Sequence, residues 1–460
     1  MKTVLGKRVL VVGLGASGLA ASRLLLAEGA RVTAVDAEEN DLLRATSQTL
    51  VEAGAAVHLA IDGTPPGDFD LAVISPGVPP SQPLVQNLRA AGVPIIGELE
   101  LGWRHSLCLN IAITGTNGKT TTTELVAALL HQAQRRTLAA GNIGTPICEV
   151  APLTRDLDIL TLEVSSFQLE TVEHFRPTVA VVTNLTPDHL DRYDGMDDYL
   201  RAKARLFKNQ QPFDWAVVQQ ESLSQLRALG LEPPSKIVTF SSRDETADLF
   251  LDRSLIVSRQ PDWAGPLLDL EKCQLDGPHN AENLMAALAV GRVMGLALDE
   301  MRETLENHAP LPHRCEFIRE IDGVKYVNDS KGTNIDALRR ALEAMPRGAD
   351  GDKNIWLIAG GQDKEMPFHD AGPELSRRVR EALVIGEARE KIRSAWSLFT
   401  ACHPADSLAE CVQETRRKAN PGDVVLLSPA CASFDMFANY QARGDAFRHL
   451  VLQAAKETAG

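Results

Sequence analysis

In residues 111 to 121, Ile-Ala-Ile-Thr-Gly-Thr-Asn-Gly-Lys-Thr-Thr, two glycines bracket a short polar turn, a lysine follows directly, and threonines stand behind it. Gly115 and Gly118 are the residues at which a backbone can turn sharply and approach a ligand closely. Lys119 supplies a point charge. Thr120 and Thr121 offer hydroxyls to a phosphate or a metal. Helical spacing of Leu125, Val126, Leu129 and Leu130 places the free N–H groups of a helix start against the same turn, where they favour an anion. Gly115, Thr116, Asn117, Gly118, Lys119, Thr120 and Thr121 therefore read as a cradle for the phosphates of ATP. It is a shortened form of G-x-x-x-x-G-K-[ST], because Ile113 stands where that pattern has its first glycine. A plain strand-to-helix turn would account for the glycines but not for the lysine and the run of threonines.

Other polar residues fall just past apolar, strand-like runs. Arg8 to Val12 leads into Gly13-Leu-Gly15-Ala-Ser-Gly18, and a second strand, Arg31 to Val35, ends in Asp36. Read alone, this is a nicotinamide dinucleotide fingerprint, with Asp36 at the ribose hydroxyls; the same geometry also holds any diphosphate at a helix start. Ser75-Pro-Gly77 follows the strand 71 to 74 as a ligand edge or a plain turn. Glu163 ends the strand 157 to 163, either as an exposed strand-end acid or as a carboxylate placed to hold Mg²⁺. His189 follows the strand 178 to 185, and a structural role and a ligand role are both open to it. Asn280 and Asn283 open an Ala-rich helix, where they could cap it or touch a base or ribose. Lys203 has the spacing of a solvated helix lysine. Near the C-terminus four strands end in Asn328-Asp-Ser-Lys331, Gly360-Gly361, Gly386 and Ser428-Pro-Ala-Cys-Ala-Ser433, which builds one ligand edge on a doubly wound sheet.

To position these groups the chain needs alternating strands and helices, and 460 residues is roughly three domains' worth. The fold class expected is α/β with three domains. These are a Rossmann-like domain over 1–102, a central P-loop ATPase-like domain with a parallel-rich sheet over 103–308, and a Rossmann-like domain over 309–460. A formal net charge of −14 lacks the basic footprint of a nucleic-acid binder, so anions must be held by a few local charges and backbone dipoles. Seven scattered cysteines without a C-x-x-C pair fit a reducing cytoplasm, and no apolar run reaches the ~18 residues of a membrane span.

Taken together the chain resembles the Mur ligase family over essentially its full length. The resemblance rests on Gly115 to Thr121, Leu162-Glu-Val-Ser-Ser-Phe-Gln-Leu169, Thr186-Pro-Asp-His-Leu-Asp-Arg192, Leu311-Pro-His-Arg314, Asn328 to Lys331 with Thr333-Asn334, and Ser428 to Ser433. The run through Asp435, Phe437 and Gln441 to Phe447 is similar to the member that adds D-glutamate. The resemblance implies ATP-dependent ligation of D-glutamate to UDP-N-acetylmuramoyl-L-alanine through an acyl phosphate. In place of a nicotinamide cofactor, the UDP end would lie at Gly15, Ala16, Ser17 and Gly18 near Asp36 and Ser75, with Asn142 and Ser165 at the muramoyl part. It further implies Mg²⁺ sites at Thr120, Glu163 and His189, and a carbamylated Lys203 bridging metal, with Lys119, His189 and Lys203 as the catalytic groups. Asn280, Arg314 and Asp329 would hold the rest of ATP, and Lys331, Thr333, Lys364 and Ser433 the D-glutamate. Tyr440 stands where the family is expected to have Phe, a harmless change if only its backbone N–H matters. A cytoplasmic monomer is expected, without nucleic-acid or membrane partners. A nicotinamide dehydrogenase, a folate-type glutamate ligase and a nucleotide-gated scaffold are the rival functions.

Overall fold

The computed structural model describes residues 4–61, 63–275, 277–309, 312–348, 353–363 and 366–458. Lys364 and Leu311 therefore lie outside the described residues. The chain forms two compact units. One comprises Met1–Leu185, Asp197–Asp269 and Glu282–Leu305, and the other Thr186–Met196, Leu270–Ala281 and Glu306–Gly460.

The first unit holds two sheets. Strands β1 (Arg8–Val12), β2 (Arg31–Val35), β3 (Ala56–His58), β4 (Leu71–Ile74) and β5 (Ile95–Gly97) pair in parallel in the order β3-β2-β1-β4-β5. Burial on both faces explains why β1 and β4 read as unbroken apolar runs. The order reverses between β1 and β4, so a crevice opens at their carboxyl ends.

The second sheet contains β6 (Leu109–Thr114), β7 (Thr137–Gly141), β8 (Ile159–Glu163), β9 (Val179–Val182), β10 (Trp215–Gln219), β11 (Lys236–Ser241), β12 (Leu249–Asp252), β13 (Leu255–Ser258) and β14 (Gly265–Asp269). Its order is β14-β13-β12-β11-β10-β9-β6-β8-β7, parallel from β7 through to β12 and antiparallel in the last two pairings. The stretch after residue 236, poor in chemical signal, thus extends this sheet.

Two buried glutamates join the sheets. Glu100 accepts the backbone N–H groups of Glu173, His174 and Phe175 at 3.0, 3.0 and 2.8 Å, together with Arg104 Nε at 2.7 Å. Glu98 Oε1 accepts Cys148 N–H at 2.7 Å.

In the second unit β15 (Glu316–Ile321), β16 (Val324–Asn328), β17 (Ile355–Gly360), β18 (Val379–Ile385), β19 (Ala401–Pro404) and β20 (Val424–Leu427) form a sheet ordered β15-β16-β20-β17-β18-β19. Only β15 is antiparallel. The expected common edge is present, since β16, β17, β18 and β20 are parallel and end at Asn328, Gly360, Ile385 and Leu427. Three parallel-rich sheets flanked by helices bear out the α/β expectation.

Candidate active site

The turn after β6 has the geometry that its composition predicts. Gly115 and Gly118 sit at φ +145° and +83°, and Gly118 is the N-cap of the helix Lys119–Gln132. A Cβ on Gly115 would stand 1.9 Å from Thr183 Oγ1, and one on Gly118 would stand 2.2 Å from Asn283 Oδ1, so neither position admits a side chain. Lys119 Nζ donates to Gly115 O at 3.0 Å and Thr116 O at 2.7 Å, folding its charge over the turn. Thr183 Oγ1 and Asn184 Nδ2 both donate to Asn117 O, and Asn184 Oδ1 accepts Asn117 N–H, which pins the turn to the end of β9.

Glu163, 3% exposed, accepts Thr120 Oγ1 at 2.7 Å and Asn142 Nδ2 at 2.8 Å. Oxygen donors of this kind suit Mg²⁺, which takes one or two carboxylates and completes its shell with water and substrate phosphates. No three His, Cys, Asp or Glu side chains converge as a metal cage among the described residues.

Lys203 departs from its spacing-based description as a solvated lysine. It is 2% exposed, and Nζ donates to Gly115 O at 2.7 Å over the ring of Tyr199, whose hydroxyl in turn meets Thr116 Oγ1 at 3.0 Å. Tertiary packing, invisible in local spacing, draws the amine under the phosphate turn. Thr183 and Asn184 were not singled out either, although their place directly after an apolar strand was a usable signal. Asn283 Oδ1 accepts Thr122 Oγ1 at 3.2 Å, which ties its helix to the one that follows the turn.

A cavity of about 590 Å³ opens at the β1/β4 crevice. Gly15, Ala16, Ser17, Asp36, Ser75 and Asn142 line it, together with Gln168 and Gln82. Gly18 lies behind the lining, where a Cβ would stand 1.8 Å from Gly13 O, so it serves close helix-to-strand approach. Ser165 is also outside the lining: it caps the short helix Ser166–Leu169 in a reciprocal box with Gln168. Asp36 spends its carboxylate on the backbone, accepting Leu14 N–H at 2.7 Å and Glu38 N–H at 3.0 Å. No Lys or Arg is among the described lining residues. The start of the helix Ala16–Ala27 faces this crevice, and the N–H groups of a helix's first turn favour an anion.

In the second unit, His189 lies well past the end of β9, the place taken by Thr183 and Asn184, at φ +55°. Its backbone N–H donates to Asp188 Oδ1, and Asp188 Oδ2 accepts Asn334 Nδ2 at 3.1 Å. Asn280 sits in the first turn of the helix Pro278–Val293, its N–H bonded to Gly277 O. Arg314 is flanked by His313 and Cys315, both in left-handed backbone at φ +63° and +44°, and its buried Nε has no partner among the described residues. Asp329 accepts Ser428 Oγ at 2.8 Å and Cys315 N–H at 3.2 Å, and burial pushes its carboxyl up to about 6.

Lys331 Nζ lies 5.1 Å over the Tyr440 ring, Thr333 N–H bonds Lys331 O, and Ser433 is buried with its carbonyl accepting Met436 and Phe437 N–H. Arg443, 1% exposed, ties these loops together by donating to Ser330 Oγ and O, Cys431 O and Ala432 O at 2.9–3.2 Å. Burial lowers this guanidinium to about 10, against the opposing pull of Cys431, Asp435 and Asp329. Its sequence position inside a polar run gave no sign of this role.

Fold and site define a phosphate-loop α/β protein with a separate crevice at the carboxyl ends of β1 and β4, and the comparisons with known proteins specify it further. Residues 7–97 match the Mur ligase MurD-like N-terminal domain, 113–291 the Mur ligase middle domain, and 313–431 the Mur ligase glutamate ligase domain. The UDP-N-acetylmuramoylalanine–D-glutamate ligase of Koribacter versatilis is 40% identical, covering 99% of each chain. Its namesake from Acidobacterium capsulatum is 42% identical over 97% of this chain and 96% of its own. Among solved structures, the MurF ligase of Thermotoga maritima in complex with ADP shares the fold, with TM-score 0.63 at 17% identity over 99% of this chain and 100% of that one. The chain belongs to the Mur ligase family.

Proposed function

We propose that this chain joins D-glutamate to the lactoyl-alanine carboxylate of UDP-N-acetylmuramoyl-L-alanine, converting ATP to ADP and phosphate. The observation that carries the reading is a continuous path inside the first unit. Asn142 lines the diphosphate crevice and bonds Glu163, which bonds Thr120 of the phosphate turn. A nucleotide-linked acid seated in the crevice thereby has its far end beside the γ-phosphate.

A carboxylate is a poor electrophile, so one of its oxygens first attacks the γ-phosphorus and ADP leaves. The amine of D-glutamate then attacks the acyl carbon, and phosphate departs with the former carboxylate oxygen. Both steps bring anions together. Lys119 and the N–H groups of the turn offset that repulsion, at positions set before the reaction. Bound Mg²⁺, with Thr120 and Glu163 as its protein ligands, would supply further neutralisation of phosphate charge.

The same reading assigns His189 and a carbamylated Lys203 to metal, and Asn280, Arg314 and Asp329 to the nucleotide. It assigns Lys331, Thr333, Lys364, Ser433 and Tyr440 to D-glutamate. It divides the chain into domains at 1–102, 103–308 and 309–460, and takes the enzyme as a cytoplasmic monomer. All seven cysteines are unbridged, and no helix among the described residues is long and apolar enough to cross a membrane.

The test is phosphate release by the purified chain with ATP, UDP-N-acetylmuramoyl-L-alanine and a panel of D- and L-amino acids. Release that needs all three components and is greatest with D-glutamate is expected. Release without the nucleotide-linked acid, or equal release with unrelated amino acids, would overturn the proposal.

A further inference from the structure

The crevice of the first unit has two walls, and they come from different sheets. One wall, with Gly15, Asp36 and Ser75, stands at the carboxyl ends of β1, β2 and β4. The other is made of two segments that follow β7 and β8, the first with Asn142 and Pro146 and the second with Gln168. With the nucleotide end of a substrate on the first wall, its acid end must reach the second, where Asn142 leads through Glu163 to the phosphate turn. A ligand that engages two surfaces at once gains affinity only while the gap between them matches its length.

One short helix sets that gap. Glu98–His105 continues directly from β5 of the first sheet, and each of its two buried glutamates holds one segment of the second wall. Glu98 accepts the N–H of Cys148, just past Pro146. Glu100 is 0% exposed and accepts the backbone N–H groups of Glu173, His174 and Phe175, in the chain that runs on from Gln168. Arg104 donates to Glu100 through Nε and to Glu173 through Nη2, which closes the contact from outside. Close approach is built in as well. A Cβ on Gly102 would stand 2.6 Å from Ile147 Cγ2, and one on Gly97 would stand 2.1 Å from Thr171 Oγ1. An ionised carboxylate accepts several N–H groups at once, whereas an amide in its place turns its own NH₂ towards some of them. We propose that Glu100 is a positioning residue for the nucleotide-linked acid. Through the segment 168–175 it fixes the span between the walls, and so selects a ligand long enough to bridge them over a free nucleoside diphosphate.

This inference rests on the crevice being the UDP-substrate site. The test measures the Kd of UDP and of UDP-N-acetylmuramoyl-L-alanine for the full chain and for three variants, Glu100→Gln, Gly97→Ala and the double variant Gly97→Ala/Thr171→Ala. Wild type binds the longer ligand at least about tenfold more tightly than UDP, a difference of ~1.4 kcal/mol or more. In Glu100→Gln that preference shrinks towards unity, while the Kd of UDP and the KM of ATP stay at wild-type values. Gly97→Ala, which keeps Glu100 but drives a Cβ against Thr171, loses the preference in the same way, and removing the Thr171 hydroxyl in the double variant restores most of it. A purely structural role for Glu100 would lower the thermal midpoint and leave the ratio of the two Kd values unchanged. A wild-type ratio in folded Glu100→Gln, or in Gly97→Ala should the first variant not fold, would overturn the proposal. A wild-type chain that binds the two ligands alike would overturn it too and leave the crevice reading standing, whereas one that binds neither would remove both.

Discussion

Glu98 opens the helix Glu98–His105 at the junction of the two sheets of the first unit, and it is 1% exposed. One carboxylate oxygen accepts Cys148 N–H, and the other is buried without a partner among the described residues. Burial raises its carboxyl from the ordinary 4.5 to about 7. The unfolded chain releases this proton around pH 4.5, whereas the folded chain holds it until about 7. Between those values the native state binds more protons than the unfolded one, so stability falls as pH rises, and the loss is complete above about pH 7. At 1.36 kcal/mol for each unit of pKa, the rise is worth about 3 kcal/mol.

Glu98→Gln is neutral at every pH and keeps the acceptor for Cys148 N–H. The variant should match wild type at pH 4.5 and exceed it by up to about 3 kcal/mol at pH 8, a gain of several degrees in the melting midpoint. Thermal unfolding of both proteins between pH 4.5 and 8.5 reads this difference. A difference that does not change with pH would refute the reasoning.

Lys119→Ala should lower kcat by about 10²-fold or more, the effect of removing one preorganised electrostatic donor, and steady-state phosphate release measures it. In Gly118→Ala the added Cβ meets Asn283 Oδ1 in a left-handed backbone, so ATP affinity should fall by at least tenfold in a binding titration while UDP binding holds; unaltered ATP affinity would count against the turn as the cradle. Lys203→Ala should be inactive and regain part of its turnover with added short carboxylic acids, as a missing carbamate requires; a fully active variant would rule the carbamate out.

Local features carried most of what could be read from sequence. The phosphate turn is legible because strand, turn and helix start are contiguous, and its glycines are required by contacts within a few ångströms. The parallel sheets follow from apolar runs that end in polar loops. Lys203 was misplaced by spacing because its burial depends on Gly115, 88 residues away. Ser165 lies outside the crevice lining for a related reason: a capping box ties its side chain to its own short helix, while Gln168 of that box is among the lining residues. Arg443 acts on carbonyl groups of three separate loops, a role that no single stretch of sequence encodes.

The central claim is that phosphate is transferred to the substrate carboxylate before the amine attacks, and isotope transfer tests it most directly. UDP-N-acetylmuramoyl-L-alanine labelled with ¹⁸O in its free carboxyl group, turned over with ATP and D-glutamate, should release inorganic phosphate carrying one ¹⁸O per molecule, for the fraction in which the labelled oxygen is lost. Amide product formed with phosphate free of the label would contradict it.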